Sequence, residues 1–380
     1  MSMSSSPDVA FSQPCFGLEE EEAAAQAIRS RWVVGGPRLA EFENRFAEAC
    51  GAEAAVGVSS WTTGAFLLLK ALGVGPGDEV IVPSLTFIAS VNVIVHAGAT
   101  PVFADIDPVT FNIDPDDAER KITPKTHAIL PVDQVGLPCD IDRFQALAAA
   151  NNLILIQDAA CSFGSKFRGA PVGSQAPHSV FSLHARKVIT TGEGGMIVTK
   201  DGELSAKLRR LRHQGMSLSD YQRHASSPTT FESYPEIGYN FRITDIQAAV
   251  GVAQIGKLDA FLARRRAIAQ AYLDGLKNHA VVVAPTVPQH VTPNWQSFQV
   301  RVRDGQLSTR NALMEHFYRH GVATRRGVMA SHLEEPYRHM NAKLPHTEAV
   351  ASSSLQLPIF PGMTNADVER VLEVLSFFAD

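Results

Sequence analysis

The sequence predicts an α/β fold in which a large domain, with a mainly parallel sheet covered by helices, precedes a smaller C-terminal α/β domain. The first observation is that short apolar runs alternate with helical stretches from residue 54 to residue 199. Strands that are apolar on both faces and separated by helices are typical of a parallel sheet. The second is length, because 380 residues exceed what one small core contains. We expect the large domain to occupy residues 1–250, and a connecting helix with the small domain to occupy residues 251–380.

Two helices are predicted before the first strand. The first spans Leu18–Trp32, with glutamates at its start and arginines near its end, the order that the helix dipole favours. The second follows the Gly-Gly-Pro sequence that ends at Pro37, and it stops near Cys50. Strands and intervening helices of the large domain are predicted at Ala54–Val58, Thr63–Leu72 (helix), Glu79–Val82, Phe87–His96 (helix), Thr100–Ala104, Ala128–Val132, Leu153–Ile156, Val180–Leu183 and Met196–Thr199.

The second half of the chain begins with a polar, irregular stretch, Leu211–Pro235, whose length is typical of a functional loop. A long helix is predicted to follow over Thr244–Lys277. In the small domain the sequence predicts a strand at Ser297–Val302 and helices at Thr309–His320 and Thr364–Phe378.

The composition excludes several classes of protein. Hydrophobic residues make up 45% of the chain and charged residues 19%, which is typical of a folded protein, and a net charge of -5 gives no attraction for nucleic acid or anionic lipid. The sequence contains no apolar run of membrane-spanning length, and Met1–Val9 lacks a signal-peptide pattern. Four cysteines without CxxC spacing, and histidines without HExxH, predict reduced thiols and no metal site. We therefore expect a cytoplasmic protein that binds neither nucleic acid nor membranes.

The segment from Phe181 to Gly195 has the residue types of a reactive lysine site. A strand ends at Ser182, a turn follows, and Lys187 lies five residues further on, before a Gly-rich sequence. An imine-forming lysine must lie beside a cofactor, and the glycines permit a close approach of the backbone. Taken alone, this pattern also fits a solvated lysine beside a turn.

Three further segments follow strands and extend the pattern. Asp158 ends a buried strand, where a carboxylate can pair with a ring nitrogen, although it can also cap the next helix. Ser59–Gly64 is a hydroxyl-rich strand-to-helix turn that suits a phosphate, and Phe87 follows another strand, where an aromatic ring can stack on a flat group. A phosphate turn, an aromatic residue, a carboxylate and then Ser-x4-Lys is the order found in fold-type I enzymes, the aspartate aminotransferase-like class that uses pyridoxal 5'-phosphate (PLP).

The chain resembles the DegT/DnrJ/EryC1/StrS family of PLP-dependent sugar aminotransferases over nearly its whole length. The resemblance rests on five blocks in the family order: Gly73–Pro83, Gly98–Asp105, Phe181–Gly195, Gly238–Arg242 with Gln247 and Gln254, and Leu357–Met363. It implies a homodimer whose active sites lie between two subunits.

The resemblance also implies roles for individual residues. Lys187 is expected to form the Schiff base with PLP, and Asp158 to pair with the pyridine nitrogen. The other cofactor-binding residues that it implies are Trp61, Thr62 and Ser182 at the phosphate, Phe87 on the ring, Cys161 at the ring hydroxyl, and Asn240 at the phosphate of the partner subunit.

Three positions depart from the family pattern. Many relatives have Gly where this chain has Trp61, and Gln or His where it has Cys161, whose thiol is a weak donor. Many also have a His-Tyr-Pro sequence where this chain has Thr324–Met329. In that stretch, Arg325 or Arg326 can bind a substrate carboxylate or phosphate, or can be solvated surface charges.

The predicted function is transfer of an amino group from an amino acid, expected to be glutamate, to a keto sugar, expected to be a nucleotide-linked keto-deoxysugar. Pyridoxamine 5'-phosphate is expected as the intermediate form of the cofactor. A cyclitol-ketone aminotransferase and a PLP-binding regulatory protein without turnover remain alternatives. Lys187 argues against the related dehydratases, which have His there, and the absence of GxGxxG after the first strand argues against a dinucleotide-binding oxidoreductase.

Overall fold

The computed structural model describes residues 7–227 and 229–378, so the first six residues of the stretch Met1–Val9 lie outside it. Within these ranges a sheet of seven strands forms the centre of the molecule. Its strands are β1 (Ala54–Val58), β2 (Glu79–Pro83), β3 (Thr100–Ala104), β4 (Thr126–Ile129), β5 (Ile154–Asp158), β6 (His178–Ser182) and β7 (Gly195–Thr199).

The strand order is β1-β7-β6-β5-β4-β2-β3. Every neighbouring pair is parallel except those that β7 makes with β1 and β6, which are antiparallel. The predicted mainly parallel sheet is therefore confirmed. Because β1, β2, β4, β5 and β6 run in one direction, their carboxyl ends meet at a single edge of the sheet, where ligands bind in open α/β folds.

Helices cover the sheet and link it to the rest of the chain. They are α1 (Leu18–Arg29), α2 (Pro37–Cys50), α3 (Trp61–Ala71), α4 (Ala89–His96), α5 (Pro115–Arg120), α6 (Ile141–Asn151), α7 (Gly202–Leu211), α8 (Asp220–Ala225), α9 (Asp245–Gly256), α10 (Leu258–Gly275), α11 (Leu307–Arg319), α12 (Pro345–Ser353) and α13 (Asn365–Ser376). The predicted irregular stretch is interrupted by α8, and the remainder that the structure describes is irregular.

The prediction of one long helix over Thr244–Lys277 is wrong. The segment forms α9 and α10, which meet at Lys257 and bend by 59°. Gly256 ends α9, and the Lys257 ammonium group pairs at 2.7 Å with Glu20 of α1, an interaction that a continuous helical pattern does not reveal. In the described part of the chain no single helix has the length and apolar character to cross a membrane, whereas α9 and α10 meet that test only as a bent pair.

A second, antiparallel sheet lies in the C-terminal part. Its strands are β8 (Val282–Val283), β9 (Phe298–Val302), β10 (Arg325–Arg326) and β11 (Ser354–Leu357), in the order β8-β9-β11-β10. They pack with α10, α11 and α13 around their own hydrophobic cluster, which Val9 from the N-terminal segment joins. The division of the chain at residue 250 stays a prediction.

Candidate active site

The turn between β1 and α3 is held in a fixed shape. The Ser60 hydroxyl accepts a hydrogen bond from the Thr63 N–H at 3.1 Å, and the Thr63 hydroxyl accepts one from the Ser60 N–H at 3.0 Å. Gly195 of β7 lies so close that a Cβ atom there would be 2.6 Å from the Ser60 carbonyl carbon. This N-cap starts α3 at Trp61, so that the first N–H groups of the helix are available to an anion.

The Trp61 side chain points into the protein rather than toward the sheet edge. Its indole N–H donates to the Val180 carbonyl of β6 at 3.0 Å, and only 7% of the residue is exposed. The bulky side chain therefore packs into the core, and the backbone N–H groups of Trp61 and Thr62 form the start of the helix. Thr62 itself is half-buried.

Asp158 is a buried carboxylate at the carboxyl end of β5. It accepts hydrogen bonds from the Ser90 hydroxyl at 2.7 Å and from the Ala160 N–H at 3.0 Å, and Ser90 in turn bonds to the Thr86 hydroxyl at 2.9 Å. Burial raises the pKa of Asp158 to about 6, against the lowering effects of Ser90, Ala160 and the charge of Lys187. A buried carboxylate with a raised pKa is stabilised by a neighbouring cation.

Lys187 lies on the loop that connects β6 to β7. Its ammonium group donates a hydrogen bond to the Cys161 sulfur at 3.1 Å, and the residue is half-buried. The loop is closed by hydrogen bonds from the Thr190 hydroxyl to the Leu183 carbonyl at 2.8 Å and from the Leu183 N–H to the Gly194 carbonyl at 2.9 Å. These bonds fix the backbone on both sides of the lysine while leaving its amine at the surface of the cleft.

Two residues of the C-terminal half that the sequence did not single out support the backbone at Cys161 and in the lysine loop. Asn294, which is fully buried, donates to the carbonyls of Cys161 at 2.8 Å and Phe163 at 2.9 Å. Gln296 donates to the carbonyl of Arg186, the residue before the lysine, at 2.5 Å. No motif marks these amides in the sequence, because they lie in an irregular segment and act on backbone atoms.

The remaining predicted residues occupy different surroundings. Ser182 ends β6 and is half-buried, and Phe87 lies in the turn before α4 with 69% of its surface exposed. Asn240 is exposed and pairs through its backbone with His213. The structure thus brings Lys187 and Cys161 into direct contact, and places Asn240 at the surface.

The two candidate substrate arginines differ in their partners, although both are exposed in β10. The Arg325 guanidinium lies 5.5 Å from the centre of the Phe11 ring, and that of Arg186 lies 4.8 Å from the same ring. Arg326 instead approaches Glu334, at 3.8 Å. Sequence reasoning gave no role to Arg186, although it lies in the block Phe181–Gly195, or to Phe11, which belongs to no recognisable pattern.

These residues fit PLP. The buried Asp158 lacks an ion-pair partner within the described ranges and suits a protonated ring nitrogen, the start of α3 suits a phosphate, and the amine of Lys187 suits an aldehyde. The fold and the site together define a PLP-dependent aminotransferase of fold-type I. The model of the DegT/DnrJ/EryC1/StrS aminotransferase family matches residues 14–376, and the chain belongs to this family.

Individual relatives agree with this assignment. The chain is 38% identical to GDP-perosamine synthase of Caulobacter vibrioides over 98% of this chain and 99% of that one. The crystal structure of the aminotransferase TlmJ from Streptoalloteichus hindustanus is 33% identical and superposes with a TM-score of 0.91, covering 98% of both chains. A Streptococcus pneumoniae protein described as a sugar aminotransferase, solved in its PLP form, is 28% identical with a TM-score of 0.91 and 98% coverage of both chains. The predicted family, fold class and enzyme class are confirmed, and the chain is a PLP-dependent sugar aminotransferase.

Proposed function

We propose that this enzyme transfers the amino group of glutamate to a nucleotide-linked keto-deoxysugar. The observation that carries the proposal is that the buried carboxylate of Asp158 lies at one edge of the sheet within electrostatic range of the Lys187 amine. The similarity to GDP-perosamine synthase supports a nucleotide-linked acceptor. The amino group would be held between the two half-reactions as pyridoxamine 5'-phosphate.

The proposed roles of the chain's own residues follow from their contacts. PLP, when bound, supplies an electron-poor ring that accepts the electrons released at the substrate carbon. Asp158, oriented by Ser90 and the Ala160 N–H, keeps the ring nitrogen protonated. Lys187 anchors the cofactor, takes the proton from the α-carbon of the donor and returns it at the adjacent cofactor carbon, first as base and then as acid. Cys161, at 3.1 Å, limits the positions that the amine of Lys187 can adopt.

We further propose a cytoplasmic homodimer in which Asn240 contacts the phosphate bound in the other subunit. Large apolar side chains in the segment around Asn240 are exposed in the single chain, including Phe231 at 83% and Ile237 at 91%. Exposed apolar groups of this size favour burial against a partner. Phe87, which follows the carboxyl end of β2, is also 69% exposed, and we propose that it packs on the cofactor ring.

The function is tested by the absorbance of the cofactor-loaded protein on addition of glutamate. We expect a visible band that disappears with glutamate and returns with the keto substrate. In Lys187→Ala, amino transfer should fall by about 10²- to 10⁴-fold, since a general base is lost. Lys200→Ala is the matched control, because the Lys200 ammonium group is exposed and donates a hydrogen bond to the carbonyl of Gln175. A visible band that does not change with any amino donor would favour a PLP-binding regulatory protein. Amination of cyclitol ketones alone would favour a cyclitol-ketone aminotransferase.

The dimer is tested by complementation between subunits. Lys187→Ala and Asn240→Ala are each expected to impair amino transfer. A heterodimer made by expressing the two variants together contains one site with both intact residues, because the residues of each site come from different chains. Recovered activity supports the shared site, whereas no recovery in a confirmed heterodimer contradicts it.

A further inference from the structure

We propose that Arg186 and Arg325 form a paired anion site, held in place by Phe11, that binds the carboxylate or phosphate oxygens of the substrates. This inference rests on the proposed function, and it selects Arg325 over Arg326. It also adds Arg186 and Phe11, which are joined to Arg325 only by the folded structure.

The first argument is position. Arg186 directly precedes Lys187, and its carbonyl is fixed by Gln296 at 2.5 Å. Cys161, whose sulfur contacts the amine of Lys187 at 3.1 Å, lies within electrostatic range of the Arg186 guanidinium. A group bound by Arg186 therefore lies beside the amine that reacts.

The second argument is charge. In the described part of the chain, neither Arg186 nor Arg325 forms an ion pair with a carboxylate, whereas Arg326 approaches Glu334 and Arg168 pairs with Asp142 at 2.9 Å. Loss of solvent lowers the pKa of Arg186, and the positive charge of Arg325 lowers it further. Two like charges without a counter-ion are stabilised when an anion binds between them, and guanidinium groups bind carboxylates and phosphates in a forked geometry.

The third argument is the position of Phe11, which is half-buried. Its ring contacts both guanidinium groups, at 4.8 Å and 5.5 Å. Val9, two residues before Phe11, is bonded to the C-terminal part. The Val9 N–H donates to the Gly321 carbonyl at 3.0 Å, and the Val9 carbonyl accepts from the Ala323 N–H at 2.9 Å. The N-terminal segment therefore delivers an aromatic surface on which both cations pack.

The chemistry explains why one site would serve both half-reactions. The amino acid and the keto sugar must each present their reacting carbon to the same amine of Lys187. Glutamate carries carboxylates, and a nucleotide-linked sugar carries a diphosphate. The feature that the two substrates share is an anionic group with paired oxygens, which a guanidinium can bind in a forked geometry.

The site is tested by isothermal titration of the PLP-loaded protein with two probes that do not react. Glutarate represents the carboxylates of the donor, and guanosine diphosphate represents the diphosphate of the acceptor. In Arg186→Gln and Arg325→Gln, affinity for at least one probe should fall by about 10- to 100-fold, the range for loss of a charge-assisted hydrogen bond. Phe11→Leu should cost about 2- to 5-fold, through lost contact with the cations.

Arg168→Gln is the matched control, because Arg168 also lies 5.5 Å from a phenylalanine ring, that of Phe167, but has its own carboxylate partner. Loss for glutarate alone assigns the site to the donor, and loss for the diphosphate alone assigns it to the acceptor. Unchanged affinity for both probes in both arginine variants, or no binding of either probe to the wild-type protein, would overturn the inference. Since neither probe reacts, a failure of the proposed amino transfer appears separately, in the absorbance assay.

Discussion

The two sides of the candidate active site are built in different ways. The cofactor side consists of Asp158, Lys187, Cys161 and the turn Ser59–Gly64, all of which follow strands of the large sheet. The substrate side consists of Phe11, Arg186 and Arg325, which come from the N-terminal segment, the lysine loop and β10. Groups on the cofactor side are paired by hydrogen bonds, whereas the two arginines of the substrate side form no ion pair with a carboxylate of residues 7–227 or 229–378.

This difference indicates how changes on each side should be observed. The cofactor side is already ordered within the chain, so its residues should affect the rate of the chemical step. On the substrate side, Arg186 and Arg325 are proposed to bind an anion, so substitutions there should affect affinity. The segment Asn294–Gln296 contacts the backbone of both Cys161 and Arg186, and it therefore joins the two sides.

After the loss expected for Lys187→Ala, the largest effect is expected for Asp158→Asn, also on the cofactor side. The rate of amino transfer at saturating substrate should fall by about 10²- to 10³-fold, because a charge that stabilises the reacting system is removed. The measurement is a single-turnover rate with glutamate. A loss confined to the KM of glutamate would contradict the division between the two sides.

In the protein without cofactor, the same substitution should change how the free energy of unfolding depends on pH. In the folded chain the pKa of Asp158 is raised to about 6, from an ordinary value of 3.8, so between these values the folded state retains a proton that the unfolded state loses. The free energy of unfolding should therefore fall as pH rises through this window, by about 3 kcal/mol at most, and stay level above it. Urea unfolding from pH 4 to pH 7 should show a smaller fall in Asp158→Asn. Asp133, whose pKa is also raised by burial, is present in both proteins, and its charge helps to raise the pKa of Asp158.

The next effect tests the segment that joins the two sides. Asn294→Ala removes the donor to two carbonyls, those of Cys161 and Phe163, and should lower the free energy of unfolding by about 2–4 kcal/mol. Urea denaturation measures this change. Asn151→Ala is the control, because the Asn151 amide bonds to the Leu147 carbonyl in an exposed position. Equal effects of the two substitutions would contradict the proposed importance of the segment.

A smaller effect is expected where the large sheet meets the C-terminal half. Asp105 accepts hydrogen bonds from the His346 N–H at 3.0 Å and the Thr347 N–H at 2.8 Å, at the start of α12. Burial acts to raise the pKa of Asp105, but hydrogen bonds from Thr347, Ile106 and His346 outweigh it, and the pKa lies below 3.8. Its contribution to stability is thus present above pH 3.8 and is lost as pH falls through the lowered value.

Asp105→Asn should lower the free energy of unfolding at pH 7 by about 1–3 kcal/mol, as the α12 N–H groups lose a charged acceptor. The difference from wild type, measured by urea unfolding, should shrink as pH falls below 4. A difference that is constant from pH 7 to pH 3 would show that charge is not the cause.

The sequence predicted the cofactor side because its residues lie at or just after the ends of apolar strands. In a parallel sheet the carboxyl ends of such strands meet at one edge. The sequence did not predict Phe11 or Arg186, since these residues are far apart in the sequence and their packing with Arg325 depends on the tertiary structure. Nor did it separate Arg325 from Arg326, because successive strand residues face opposite sides and the pattern does not tell which side faces the cleft. The helix break at Lys257 was missed for a similar reason, as its partners Glu19 and Glu20 are more than 200 residues away.

The smallest effect is expected for Cys161, although its sulfur contacts the amine of Lys187. A thiol is a weak hydrogen-bond partner, so Cys161→Ser should change the single-turnover rate by less than about threefold. Cys139→Ser, at a fully buried thiol remote from the lysine contact, is the control for protein stability. A loss of 100-fold or more in Cys161→Ser, with folding intact, would mean that the sulfur has a role that a hydroxyl cannot take. In that case the rate of the chemical step would depend on the Cys161 thiol as well as on Asp158, although the thiol makes the weakest hydrogen bond on the cofactor side.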